Sequence, residues 1–295
     1  MVDSLGYRMK FAVVAPSTNT SVQPEYDSMR PVGVTNHFSR IAIPDTKVTD
    51  DASFMVMLNT IRDSTEAAVD VSMSMDPGCL IMGMSAETFW DGADGADRLH
   101  ARILEQTGGV PVIMGSMAVD AAMKAYGGIK KIGIITPYMD CLLYTSPSPR
   151  DRQTGGVPVI MGSMAVDAAM KAYGGIKKIG IITPYMEVGD NQVRKYFEDC
   201  GYEVVHLVGL KSPSPMMIAH ESPQTLKRAA IEVSQGVDAI VQCGTNLAFA
   251  KVAAQAEFWL EKPVIAINTA TYWHALRTMG IPDKIEGYGS LLSHH

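Results

Sequence analysis

The 295-residue chain is 47% hydrophobic and 19% charged, the composition of a folded globular protein with material for one large core or two lobes. A formal net charge of −6 without any Lys/Arg run argues against nucleic acid or a polybasic membrane surface, and no apolar stretch approaches the roughly 20 residues of a membrane span. Four cysteines (Cys79, Cys141, Cys200, Cys243) show neither CxxC pairing nor zinc-like spacing with His, so free thiols, no metal and a small-molecule ligand are expected; the N-terminus lacks a signal-like apolar block, and cytoplasmic residence is expected with it.

In chain order, short β-branched runs predict strands at 10–15, 38–43, 79–83 and 110–113. Apolar spacing of 3.6 residues predicts helices between them at 51–73, 93–106 and 116–126. Residues 106–139 then recur letter for letter as 153–186, an offset of 47. Natural structural repeats drift wherever the stacking face is not constrained, so perfect identity over 34 residues points to a recent duplication or an assembly error. The intervening stretch, 140–152, contains CLLYTSPSPRD, which resembles translated sequencing adapter. The expectation is an artefactual insert at 140–152, a duplicate at 153–186, and a natural chain of 248 residues; Cys141 then carries no function. Beyond it, strands are predicted at 178–183, 204–207, 239–242 and 264–267, with helices at 189–200, 222–235, 247–260 and 269–279.

The βα alternation implies an α/β protein with mostly parallel sheets flanked by helices, whose ligands sit beyond the carboxyl ends of the strands. No GxGxxG or P-loop follows any strand, which removes the main support for a dinucleotide or nucleotide site. The two halves echo each other. KFAVVAPSTNT opens the first and KIGIITPYMEV the second, while LIMGMSAET and IVQCGTNLA each carry a strand into a small polar turn. Superposed by strand end, Gly83 matches Cys243, Met84 matches Gly244 and Ser85 matches Thr245. Two pseudo-symmetric Rossmann-like lobes are expected, 1–130 (with the C-terminal tail returning to it) and 178–295, sharing one cleft.

Cys243 is the leading candidate for chemistry. A thiol at a strand end, just before a helix predicted from Leu247, would meet backbone N–H groups and a favourable dipole that lower its pKa; the competing reading is an inert buried cysteine. Gly244 permits close backbone approach, and Thr245 or Asn246 caps the helix or donates to a carboxylate. Ser17 and Asn19 lie in a donor-rich turn suited to an anion, or in an ordinary N-cap. Ser85 and Tyr185 occupy the corresponding ends of other strands, where either donates to a ligand or simply packs. Cys79 is read as core, Cys200 as lacking evident chemistry, and His220 as a surface or capping residue.

Taken together, PSTNTSVQPE, MGMSAETFWDG, ITPY, QCGTNL and EGYGSLL resemble the aspartate/glutamate racemase superfamily, specifically its maleate cis-trans isomerase and arylmalonate decarboxylase branches, over nearly the whole natural chain. The resemblance implies a cofactor-independent enzyme acting on a small mono- or dicarboxylic acid in a cleft between two lobes. It implies that Cys243 is the second-lobe cysteine, Asn19 the carboxylate-binding Asn of the isomerases, and Tyr185 the second-lobe Tyr of the decarboxylase. Gly83 stands where a two-cysteine member carries its other thiol. One thiol serves one face of a carbon, so the resemblance favours decarboxylation through an enediolate protonated by Cys243, with backbone N–H groups of Ser85 and Gly244 and nearby hydroxyls as oxyanion donors. Met84 departs from the decarboxylase pattern, which has Thr there. Maleate isomerisation, racemisation and non-catalytic carboxylate binding stay open as alternatives, as does homo-oligomerisation.

Overall fold

The computed structural model describes residues 3–127, 129–136, 179–183 and 187–295. The first sheet is built around β1 (Met9–Pro16), whose residues Phe11 to Ala15 are fully buried. Burial on both faces is why this strand reads as a continuous apolar run without polar alternation. β2 (Val34–Ile41), β3 (Cys79–Met82) and β4 (Val112–Met114) join it in the order β2-β1-β3-β4, all parallel. The crossovers include α1 (Val22–Met29), α2 (Asp51–Met73) and α3 (Gly92–Gln106). α2 spans the predicted residues because Asp50 closes a capping box with Ser53, fixing where the helix starts. α1 escapes prediction: it has eight residues, and its buried stripe of Val22, Tyr26 and Met29 covers barely two turns, too few for a periodic signal.

The second sheet contains β7 (Glu203–Gly209), β8 (Ala239–Gln242) and β9 (Val264–Ala266), again all parallel. Between β7 and β8 lie two copies of one strand, β5 (Lys131–Thr136) and β6 (Ile179–Thr183). Each pairs with β7 and with β8, and in one register: Gly133 and Gly180 both lie opposite Ile240, Ile134 and Ile181 opposite Val241, Ile135 and Ile182 opposite Gln242. A Cβ placed on Gly133 would stand 1.9 Å from the Cα of Gly180, whereas neighbouring strands need about 4.8 Å. The copies are therefore alternative occupants of one slot. Counting that slot once, the order β7-β5/β6-β8-β9 reproduces β2-β1-β3-β4 element for element.

Helices α5 (Glu187–Asp199), α6 (Pro223–Glu232) and α7 (Ala250–Leu260) flank the second sheet, and α8 (Ile267–Thr278) and α9 (Ser290–His294) close the chain. α8 packs against α4 (Gly115–Tyr126), the two helices that follow the last strand of each sheet. Gly115 lets them approach closely, since a Cβ there would lie 2.6 Å from Ile267 Cδ1. Tyr272 of α8 is buried under the first sheet, with ring centroids 5.8 Å from Phe11 and 5.0 Å from Tyr26. The C-terminal segment thus ties second-half sequence to the first sheet. Among the described residues no helix is long and apolar enough to cross a membrane, and no group of three His, Cys, Asp or Glu side chains is arranged to hold a metal ion.

Some boundaries move. The strand expected at 38–43 begins at Val34, and the one at 110–113 becomes Val112–Met114. The helix expected from Leu247 starts at Ala250. Residues 244–249 turn instead, with Leu247 N–H donating to Gly244 O (3.0 Å) and Phe249 N–H to Leu247 O (2.9 Å). The apolar Leu247-Ala248 pair is helix-compatible, but the side chains of its neighbours hold the turn in place.

Candidate active site

Three strand-end turns converge on a cleft of about 60 Å³ that separates the sheets. One end is polar: Thr18 and Asn19 after β1, Ser85 after β3, and Gly244, Thr245 and Asn246 after β8. The remaining wall is largely apolar, including Ile43, Met57, Ile61, Met84 and Ile218, with Glu87 as the one acid among the described residues. Such a division suits a ligand with an anionic head and an apolar body.

Thr245 links the lobes. Its hydroxyl donates to Gly83 O (3.1 Å) and accepts from Asn19 Nδ2 (3.0 Å), while its N–H donates to Ser85 Oγ (3.1 Å). Gly83 and Ser85 of the first sheet therefore touch the second-sheet turn that they match in sequence. Asn19 Oδ1 meanwhile accepts from the N–H groups of Ser21 and Val22, holding the start of α1. Asn246 is wholly engaged in assembly. Its Oδ1 accepts from Thr20 and Ser21 N–H, its Nδ2 donates to Thr18 O and Pro215 O, and its carbonyl accepts from Ser21 Oγ. Gly244 adopts φ +128°, a backbone region that favours glycine, at the bend between strand and turn.

Cys243 follows directly on β8 and is fully buried. Its N–H donates to Ile182 O (2.9 Å) and to Ile135 O (3.3 Å), the same carbonyl in each copy of the repeated strand. The expected depression of its pKa does not occur. Burial pushes the thiol well above the ordinary cysteine range, and the buried Asp190 carboxylate pushes it the same way. The dipole that should have lowered it belongs to α7, which starts seven residues later and is capped by another group: Ala250 N–H donates to Glu25 Oε1 (3.1 Å), and Asn268 Nδ2 donates to Glu25 Oε2 (2.7 Å). Burial raises Glu25 itself to about 7, against the opposing pull of those hydrogen bonds.

The structure therefore gathers Asn19, Met84, Ser85, Gly244, Thr245 and Asn246 around the cleft. Ser17 is turned away; its hydroxyl donates to Ile43 O and accepts from Ile43 N–H, which fixes the chain after β2. Gly83 and Cys243 end their strands immediately behind the lining residues. Tyr185 lies outside the described residues. His220 is exposed, while Cys79 and Cys200 are buried thiols whose pKa burial drives upward. Sequence reasoning missed the half-buried Glu25 and the buried Glu87, acids with no distinctive spacing; only the AETF segment following Ser85 hinted that Glu87 would lie near a strand end.

Residues 150–292 match the arylmalonate decarboxylase family model. The fold is that of maleate cis-trans isomerase and arylmalonate decarboxylase. The structure aligns with the maleate cis-trans isomerase of Nocardia farcinica bearing a covalently bound succinylcysteine intermediate, over 97% of this chain and 99% of that chain (TM-score 0.72, 18% identity). It aligns with the maleate isomerase Iso from Pseudomonas putida S16 over 97% and 98% (TM-score 0.69, 18% identity). Unliganded arylmalonate decarboxylase aligns over 97% and 100% (TM-score 0.66, 15% identity). No curated protein sequence matches the chain. Both groups of structural relatives are enzymes, and each shares the two-lobed α/β architecture.

Proposed function

We propose that this protein is a cofactor-independent decarboxylase of small malonate-type acids, in which Cys243 protonates one face of an enediolate. One observation carries the reading: of two matched strand ends, one bears a buried thiol held in its neutral form and the other bears Gly83. A protonated thiol is an acid, not a nucleophile. A carboxylate at the polar end, near Thr18 and Asn19, would leave the second carboxylate against the apolar wall, where desolvation favours loss of CO₂. The C–C bond breaks, its electron pair passes into the enediolate, and Gly244 N–H with the Ser85 hydroxyl stabilises the developing oxyanion. Cys243 S–H then transfers its proton to carbon. The carbanion is far more basic than any thiolate, so the raised pKa does not oppose the transfer, and the thiolate left beside Asp190 recovers a proton from water.

A second reading, maleate isomerisation, is favoured by the overlap with the two maleate isomerases and by the PSTNT turn. It requires a thiolate to attack carbon, which burial of Cys243 opposes. The test is turnover of phenylmalonate, maleate and amino-acid enantiomers by wild type and Cys243→Ala. Phenylmalonate decarboxylation lost in the variant is the expected outcome. Activity that survives the substitution sinks the mechanism, and binding without turnover of any substrate favours a carboxylate-binding protein.

A further inference from the structure

The first lobe reaches the Thr245 turn at two points along α1. Ahead of the helix, Asn19 Nδ2 donates to Thr245 Oγ1 while Asn19 Oδ1 holds the N–H groups of Ser21 and Val22. One turn into it, the half-buried Glu25 accepts from Ala250 N–H at the start of α7 and from Asn268 Nδ2 at the start of α8 (2.7 Å). Asn268 Nδ2 also donates to Thr245 O (2.9 Å), so one amide joins the acid to the cleft turn. That amide is 1% exposed, and its Oδ1 has no hydrogen-bond partner among the described residues. Its orientation is therefore set from the nitrogen side, where ionised Glu25 and Thr245 O are both acceptors. A protonated Glu25 would offer a hydroxyl in place of an acceptor. Reversing the amide would then satisfy Oδ1 but turn an oxygen toward Thr245 O, and the turn would lose its donor.

We propose that Glu25 and Asn268 are positioning residues for the oxyanion end of the cleft: ionised Glu25 orients the Asn268 amide, and the amide fixes the peptide that follows Thr245. This rests on the proposed role of Ser85 and Gly244 as oxyanion donors. Neither Glu25 nor Asn268 lines the cleft, so both act through Thr245, whose N–H holds Ser85 Oγ (3.1 Å) and whose hydroxyl holds Gly83 O (3.1 Å). The surroundings of Glu25 let it change charge near neutral pH. Desolvation raises its carboxyl to about 7, while its two hydrogen bonds and the Lys251 ammonium of α7 pull the other way. Lys251 is itself held by Gly287 O and by the face of the Tyr288 ring. Tyr26, the next residue of α1, stays neutral because burial drives its hydroxyl upward, and α8 meets Glu25 with Asn268, which does not titrate.

The experiment follows the ¹⁵N shift of the Asn246 amide in the full-length protein, because that nitrogen shares a peptide with Thr245 O and responds to hydrogen bonding there. The ¹³C shift of the Glu25 carboxyl and steady-state phenylmalonate turnover are measured over the same pH range. In wild type the two resonances should titrate together with a midpoint of about 7. Across that midpoint kcat should rise about tenfold while KM changes less than about twofold, the pattern of a hydrogen bond felt mainly in the transition state. Glu25→Gln and Asn268→Ala should abolish the Asn246 titration, and Glu25→Gln, whose amide oxygen still accepts from Asn268, should keep the larger share of kcat. An Asn246 shift that does not follow Glu25 in wild type overturns the assignment even if a variant fails to fold, and so does a titration undiminished in either variant. Coupled shifts without phenylmalonate turnover would sink decarboxylation and leave the hold on the turn; turnover without coupled shifts would sink the hold alone.

Discussion

At position 243 the protein holds a thiol out of water, which favours its protonated form. Because burial and Asp190 hold the proton on sulfur, the turnover rate should stay level as pH rises through about 8.5, where an exposed cysteine would titrate. A rate that falls across that range, followed by steady-state assay, would mean the acid is an exposed group. Gly83 is the matching position in the other lobe. A Cβ there would sit 3.1 Å from both Ala15 Cβ and Val13 Cγ1, so Gly83→Cys overpacks the strand end at a cost of about 1–3 kcal/mol without backbone strain. It should add a proton donor on the opposite face, and chiral chromatography should show the product racemising; retained stereospecificity would mean the two strand ends do not serve one carbon. Glu25 makes a different prediction. Its folded pKa of about 7 lies above the ordinary 4.5, so the native state holds the extra proton between those values, and stability falls as pH rises from about 4.5 to 7. Melting temperatures of wild type at pH 5 and 7.5 should differ more than those of Glu25→Gln.

The cleft depends on turns that are held by side chains reaching across the lobes. Asn246 fills its amide with backbone groups of Thr18, Thr20, Ser21 and Pro215, so Asn246→Ala removes partners from a partly buried turn and leaves the buried Pro215 carbonyl without this donor. At about 1–3 kcal/mol for each unsatisfied group, the substitution should lower denaturant-measured stability by several kcal/mol and weaken substrate binding with it. A variant with unchanged stability would show that the turn is set by the backbone alone. Here the sequence was only partly legible. QCGTNL marked a strand running into a polar turn, which is what forms, but a helix from Leu247 looked equally compatible. What decided otherwise were residues more than 200 positions away: Ser21 on the Asn246 carbonyl and Glu25 on Ala250 N–H.

Across the whole molecule, each sheet arranges four strand positions in one order, and the second has five strands for them. Removing residues 106–152 or 140–186 yields the same 248-residue sequence, because the two copies are identical. That shorter chain should unfold in a single cooperative transition at higher temperature than the 295-residue chain, in which a displaced copy leaves an apolar KIGIIT strand without its slot. Differential scanning calorimetry of both chains is the check. An equal or lower transition for the short chain would mean that both copies contribute to stability.

The sequence by itself determined the βα alternation, the parallel buried strands, the pseudo-symmetry of the halves and the redundancy of the repeat, because each is carried by local periodicity or by identity between segments. It could also place Asn19, Ser85 and Thr245 at strand ends. Only the tertiary structure decided that those three share one hydrogen-bonded junction, that Cys243 is driven toward its neutral form, that Glu87 is buried and that Glu25 is raised at a half-buried position. Protonation depends on desolvation, and desolvation depends on residues far apart in the chain, which no local pattern records.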